Sequence, residues 1–277
     1  MLTLPDKSSA RYRIYPSLLD SFAQMLDYEV VAEEMWNKKD GEYVLTPDEM
    51  YDKLEKELIA TINREPHEPI EAASLGSVFN EIVDCLIEHR KSETMKIFSY
   101  CTEVEAYDHS IQTKRLVQGE LDGFTFIFDG ELCKEAAEYF RGALTQQYLE
   151  ATIDTAYGDV LLYGYADEWV RDKIYDIKTT SYYDFGKFER KWQRHVYPYC
   201  AIESGLTDTV SEFEYTIFKL NKSTPITASV YREAYTYDHK ETTRLLRQMC
   251  ERFIEWLEAM NAKGLITHPR IFNKEAA

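Results

Sequence analysis

Two aspartates and a lysine stand close together in a segment that otherwise reads as an apolar hairpin, GYADEWVRDKIYDIKTT at positions 164–180. A turn centred on Arg171 and Asp172 sets Asp167 opposite Asp176, and directly opposite residues share a face with Cβ atoms roughly 4.5–5.5 Å apart. Two carboxylates so placed can hold one hard cation at ligand distances of about 2.0–2.1 Å. Lys178, two residues beyond Asp176, falls on the same face, while Tyr175, Ile177 and Thr179 point the other way. Burying two carboxylates and an ammonium together is costly unless a divalent ion and solvent enter with them. The competing reading of Asp176 and Lys178 is an ordinary same-face ion pair. Acid-x-lysine also recurs at Glu189–Lys191 and Asp238–Lys240, so the hairpin, not the tripeptide, gives the pattern its meaning.

A second group follows in WQRHVYPYC, where Gln193 and Tyr197 are four residues apart and share a helix face. They read either as a surface glutamine and a core aromatic, or as a pair reaching toward the acidic cluster. From Lys178 to His195 the cations Lys178, Lys187, Arg190, Lys191 and Arg194 outnumber Asp184 and Glu189. Such a patch suits phosphate contact or a solvated helix face equally well on charge alone.

These residues need elements to hold them. QQYLEATIDTAYGDVLLYGYADEWVRDKIYDIKTT divides at YGD and VRDK into three strand-like stretches, an antiparallel meander. Upstream, PSLLDSFAQML, TPDEMYDKLEKELIATIN and PIEAASLGSVFNEIVDCLIEHRK carry apolar residues at helical spacing, the second with Thr46, Pro47 and Glu49 as a capping box, so the first third reads as helical. FSYCTEVEAY and LDGFTFIFDG have strand texture, and ELCKEAAEYF is a short helix after Asp129. FERKWQRHVYPYCAIES at 188–204 is expected to be a helix, EFEYTIFKL and ITASVYREAYTY two more strands, and DHKETTRLLRQMCERFIEWLEAM a long final helix begun by Asp238. No repeat or Gly/Ser linker divides the chain. The expectation is one α+β domain over 1–277: a helical portion to about 95, then a mixed sheet with its meander flanked by helices.

Composition narrows the function. The 277 residues carry 32 basic and 49 acidic side chains, a net charge of −17, which excludes broad electrostatic adhesion to DNA or anionic lipid. No apolar run is long enough for a membrane span, and the start MLTLPDKSSARYR lacks the features of a signal peptide, so a cytoplasmic protein is expected. Five dispersed cysteines without a C-x-x-C pair suggest buried free thiols.

Taken together, G-x-x-D at Gly164–Asp167, D-x-K-T at Asp176–Thr179 and Q-x-x-x-Y at Gln193–Tyr197 resemble, in order and spacing, the RecB-like and phage-type exonuclease branch of the PD-(D/E)XK nuclease superfamily. The likeness is best over 69–204; YPSLLDSFAQML and the final helix also fit. It implies a restriction-endonuclease-like core, with Asp167, Asp176 and the Ile177 carbonyl holding one or two Mg²⁺ or Mn²⁺ ions and Lys178 orienting or deprotonating a water. It further implies that Gln193, Tyr197, Thr179, Arg190 and Arg194 contact a DNA strand. The family's G-x-x-x-H motif falls on Gly76–Asn80, where asparagine replaces histidine. Asn80 or Glu81 is then the candidate third ligand, Glu81 needing a helix rotation of about 100°. Only Cys250 lies where cluster-bearing relatives place three cysteines, so no iron–sulfur cluster is expected. The implied activity is metal-dependent hydrolysis of DNA from an end, with a recombination or single-strand-annealing protein as a conceivable partner. The alternatives are a nuclease-like binding or assembly module without catalysis, and a metal-free hydrolase using Asp167 and Asp176 as an acid/base dyad.

Overall fold

A computed structural model describes residues 10–34, 37–39, 42–105 and 111–273. The start of the chain, from which the absence of a signal peptide was read, falls largely outside the described residues, as does the end of FSYCTEVEAY.

In chain order the elements are β1 (Tyr12–Ile14), α1 (Pro16–Leu26), α2 (Tyr28–Ala32), β2 (Lys38–Lys39), β3 (Glu42–Tyr43), α3 (Pro47–Asn63), α4 (Glu71–Ile87), β4 (Lys96–Glu105), β5 (Ile111–Leu121) and β6 (Phe124–Asp129). They continue with α5 (Gly130–Tyr139), β7 (Leu144–Ile153), β8 (Val160–Val170), β9 (Lys173–Thr180), α6 (Gln193–Glu203), β10 (Glu212–Leu220), β11 (Ala228–Thr236) and α7 (His239–Ala262). The architecture is mixed α+β, with a central mixed sheet flanked by helices.

That sheet runs β1-β8-β9-β10-β11, with β7 also paired to β8. The expected meander is present as antiparallel β7, β8 and β9. β9 then pairs in parallel with β10, and β10 forms an antiparallel hairpin with β11. A second sheet of three antiparallel strands, β4-β5-β6, lies beside it. Alternation along β9 and β10 feeds two cores. Ile174, Phe213, Tyr215 and Ile217 pack with Phe22 of α1, Val196 of α6 and Phe253 of α7. Ile177 and Phe218 pack with Val78 and Phe79 of α4 and with Phe140. The sheet is therefore covered on both faces, and every change of side chain along β9 switches helix layer.

Three sequence expectations need correction. The first third is not wholly helical: Tyr12–Ile14 becomes a strand by pairing in parallel with Val160–Leu162, a partner the local pattern does not reveal. The stretch 111–123, given no element except where LDG opened a strand, supplies the long strand β5. The helix expected over 188–204 begins only at Gln193, because Phe188 turns into the main core and Asp20 of α1 accepts the Trp192 N–H at 2.8 Å. The caps on α3 and α7 are as expected: Thr46 and Glu49 cap reciprocally, and Asp238 accepts from the Glu241 N–H.

Candidate active site

The site lies where two strands part. β8 and β9 are joined by the turn Arg171–Asp172 and pair as Val170 with Lys173, Trp169 with Ile174 and Glu168 with Tyr175. Pairing ends there, one step short of Asp167 and Asp176, and β9 continues against β10 alone. Farther down, β1 takes over the vacated edge of β8 at Val160–Leu162. Asp167 and Asp176 thus sit in the crotch of a fork. Asp167 Oδ2 accepts the Ile177 N–H at 2.8 Å, so its carboxylate closes the ladder that the backbone leaves open.

Around Asp176, which is 2% exposed, a triangle of contacts closes. Lys178 Nζ lies 2.6 Å from Asp176 Oδ2 and donates to Gln193 Oε1 at 2.7 Å, while Gln193 Nε2 donates to Asp176 Oδ1 at 2.6 Å. Gln193 is oriented by this pairing, oxygen toward the ammonium and nitrogen toward the carboxylate. Tyr197, one turn along α6, is buried against β8: a Cβ on Gly164 would meet Tyr197 Cε1 at 2.6 Å. Gly164 is glycine because the tyrosine ring occupies that space. Burial, with Asp176 adding to it, pushes the Tyr197 phenol far above its ordinary range, so it stays neutral. The structure therefore brings Asp167, Asp176, Lys178, Gln193 and Tyr197 into one place.

The helix α4 lies on the opposite layer. A Cβ on Gly76 would meet Thr179 Oγ1 at 2.8 Å, so this glycine lets α4 approach the end of β9. Asn80, one turn on, has a buried Oδ1 with no hydrogen-bond donor. Glu81 is engaged elsewhere, its oxygens bonded by Arg90 at 2.7 and 3.2 Å. Partial burial works upward on its carboxyl, but the Arg90 bonds hold it below the ordinary range. Of the expected strand-contacting cations, Arg190 is exposed and 3.5 Å from Asp27, whereas the Arg194 guanidinium packs 4.5 Å over the Tyr235 ring. Thr179 begins a hydroxyl-rich cleft of about 460 Å³, lined also by Thr180, Ser181, Ser223 and Thr224. A larger cleft, about 710 Å³ between α5 and the β10–β11 hairpin, contains none of these residues.

Three residues escaped the sequence reading. Gln146 interrupts the β7–β8 ladder: Thr145 pairs with Glu168 and Gln147 with Ala166, but Gln146 and Asp167 do not pair. Its φ of 46° is left-handed, uncommon for a non-glycine residue, and its Nε2 donates to Asp167 Oδ1 at 3.3 Å. It also hydrogen-bonds Asp84 of α4. Asp84 in turn faces Glu168, which is wholly buried and receives no N–H donor on either oxygen. A proton shared with Asp84 would supply the missing donor. Burial first, then the Asp84 charge, raises the Glu168 carboxyl well above the carboxylate range. Polar residues at buried positions were the available signal for Asp84 and Glu168; a left-handed strand residue leaves none.

Burial also raises both fork aspartates: Asp167 is pushed further by Asp176, and Asp176 is held back by Lys178. Two carboxylates meet at the fork, and Asn80 on α4 keeps a buried amide oxygen without a donor; carboxylate and amide oxygens are the ligand types that a hard cation such as Mg²⁺ or Mn²⁺ takes. Among the described residues, no three His, Cys, Asp or Glu side chains form a ready-made cation cage. No described helix is long and apolar enough to cross a membrane.

No family model and no curated protein matches the chain. Among solved structures it is similar to SSO0001, at 15% identity and a TM-score of 0.28, over 44% of this chain and 55% of that one. The chain thus spans about half the length of SSO0001. It is also similar to a protein from Eubacterium rectale named "Putative exonuclease", at 14% identity and a TM-score of 0.42, over 88% of this chain and 80% of that one.

Proposed function

We propose that the chain is a divalent-metal-dependent nuclease that hydrolyses DNA, acting from an end, in the manner of the PD-(D/E)XK nucleases it resembles in motif. The observation that supports this reading is the fork itself, where Asp176 touches Lys178 and Gln193 while Asp167 of the facing strand accepts the Ile177 N–H beside them. Asp167, Asp176, the Ile177 carbonyl and Asn80 would hold Mg²⁺ or Mn²⁺. A cation there neutralises charge growing on the phosphate and makes water more acidic.

The chain's own residues do the rest. Lys178, held by Asp176 and Gln193, would orient a water through its ammonium. Gln193 holds that geometry, and neutral, buried Tyr197 fixes α6 against β8. Incubating linear and circular DNA with Mg²⁺ or Mn²⁺, with and without EDTA, tests the reading. Degradation of the linear form alone, abolished by EDTA, is expected. Cleavage in EDTA would favour a metal-free dyad, and no cleavage would sink the assignment. One observation favours a binding or assembly module instead: position 80 offers a neutral amide, a weaker ligand for a hard cation than a carboxylate. An absent Mn²⁺ thermal shift would select that reading.

A further inference from the structure

The excursion from Thr180 to Trp192 leaves the sheet two residues after Lys178 and returns as α6. Its first half is a braced turn. Lys187 Nζ reaches back to Thr180 Oγ1 at 2.9 Å and to the Tyr182 carbonyl at 2.8 Å. Glu233 of β11, itself 3% exposed, accepts from the Tyr183 hydroxyl at 2.7 Å, the Gly186 N–H at 2.9 Å and the Tyr235 hydroxyl at 2.6 Å. The Tyr183 ring lies parallel to Phe188, centroids 6.5 Å apart. Gly186 supplies the left-handed φ of 83° that such a turn requires.

At the apex of this fixed turn stands Phe185, 88% exposed, with Tyr182 three residues earlier at 59%. A phenyl ring placed in water by a turn that a buried carboxylate holds in shape is positioned for a partner. We propose that Phe185 is a stacking post for an unpaired nucleobase of the strand that enters the Asp167–Asp176–Lys178 site; the proposal rests on the nuclease reading above. One exposed ring presents far less area than a stable protein interface buries, yet it matches the face of a base. The excursion also carries the exposed Arg190, 3.5 Å from Asp27, as a cation near the surface in a chain of net −17.

The test uses single-stranded oligonucleotides carrying 2-aminopurine at successive positions, bound to the Lys178→Ala chain so that they survive. Quenching at one position is expected. Adding Phe185→Ala should remove the quenching and weaken binding about tenfold or more. Phe185→Trp should preserve both effects, and Phe185→Leu should behave like alanine, which separates ring stacking from apolar contact. Unchanged quenching and affinity in Phe185→Ala would overturn the stacking post while leaving the nuclease reading intact, provided the parent chain still degrades DNA. A parent chain that neither binds nor cleaves DNA overturns both. A dimer that Phe185→Ala converts to monomer, with oligonucleotide binding unchanged, would assign the ring to self-association and overturn the proposal.

Discussion

On its two faces the fork between β8 and β9 handles buried acids in opposite ways. Toward α6, Asp176 is surrounded by donors, an ammonium and an amide, and Asp167 takes a backbone N–H. Toward α4, buried Glu168 faces Asp84 with no N–H donor on either oxygen, and burial raises its carboxyl well above the ordinary range. The same residue types thus yield a donor-braced centre on one side and a buried acid pair short of donors on the other. Donor supply, not acidity of the sequence, separates chemistry from packing. Gln146 joins the two, touching Asp167 and Asp84 from its left-handed position.

Breaking the donor side should have the largest consequence. Lys178→Ala is expected to lower DNA degradation by about 10²–10⁴-fold, with far-UV circular dichroism unchanged. Lys240→Ala, which disrupts only the sequence-level duplicate at Asp238–Lys240, should remain active. Equal loss in both variants would refute the assignment. On the donor-poor side the readout is stability. Glu168→Ala should cost about 2–4 kcal/mol in urea unfolding, through the cavity and the stranded Asp84. Glu168→Gln, whose amide can donate to Asp84, should cost under about 1 kcal/mol. An equally damaging glutamine would disprove the shared proton.

A pH series sharpens the contrast. Because Asp167, Asp176, Asp84 and Glu168 have raised folded-state pKa values, the metal-free native chain binds more protons than the unfolded one above the ordinary carboxylate range. This contribution to stability is fully present below the unfolded values and is lost as pH rises through the folded ones. The melting temperature should therefore fall toward neutral pH less steeply in Asp167→Asn, and Mn²⁺ should offset the fall in the parent chain. A slope unchanged by the substitution would remove Asp167 from the account. The smallest effect is expected at position 80. Asn80→His should tighten Mn²⁺ binding by about tenfold, roughly 1.4 kcal/mol, in a thermal-shift titration. No change there, with activity lost in Glu81→Ala, would make Glu81 the ligand despite its bonds to Arg90.

Local pattern carried much of this arrangement. The hairpin register follows from placing a two-residue turn at Arg171–Asp172, although the ladder stops at Glu168 and Tyr175 and the expected pairing of Asp167 with Asp176 does not form; the alternation of Asp176 and Lys178 against Tyr175 and Ile177 follows from strand geometry. The fork itself was hidden, because strand separation depends on β1 and β10, which lie far away in the chain. Motif glycines at 76 and 164 were visible only as letters. Their physical reasons, Thr179 and Tyr197, are tertiary contacts. Gln146 was illegible for a stronger reason: nothing in QQYLEATI marks one residue as left-handed.

The hydrogen bond from the Trp192 N–H to Asp20 spans 172 positions of the chain. Asp20 is fixed in the opening helix, and Lys191 lies 3.6 Å from its other oxygen. The helix that presents Gln193 to Asp176 is thus fastened by a hand reaching from far upstream. Shortening the chain past α1 would be expected to blunt the fork without removing any residue within it.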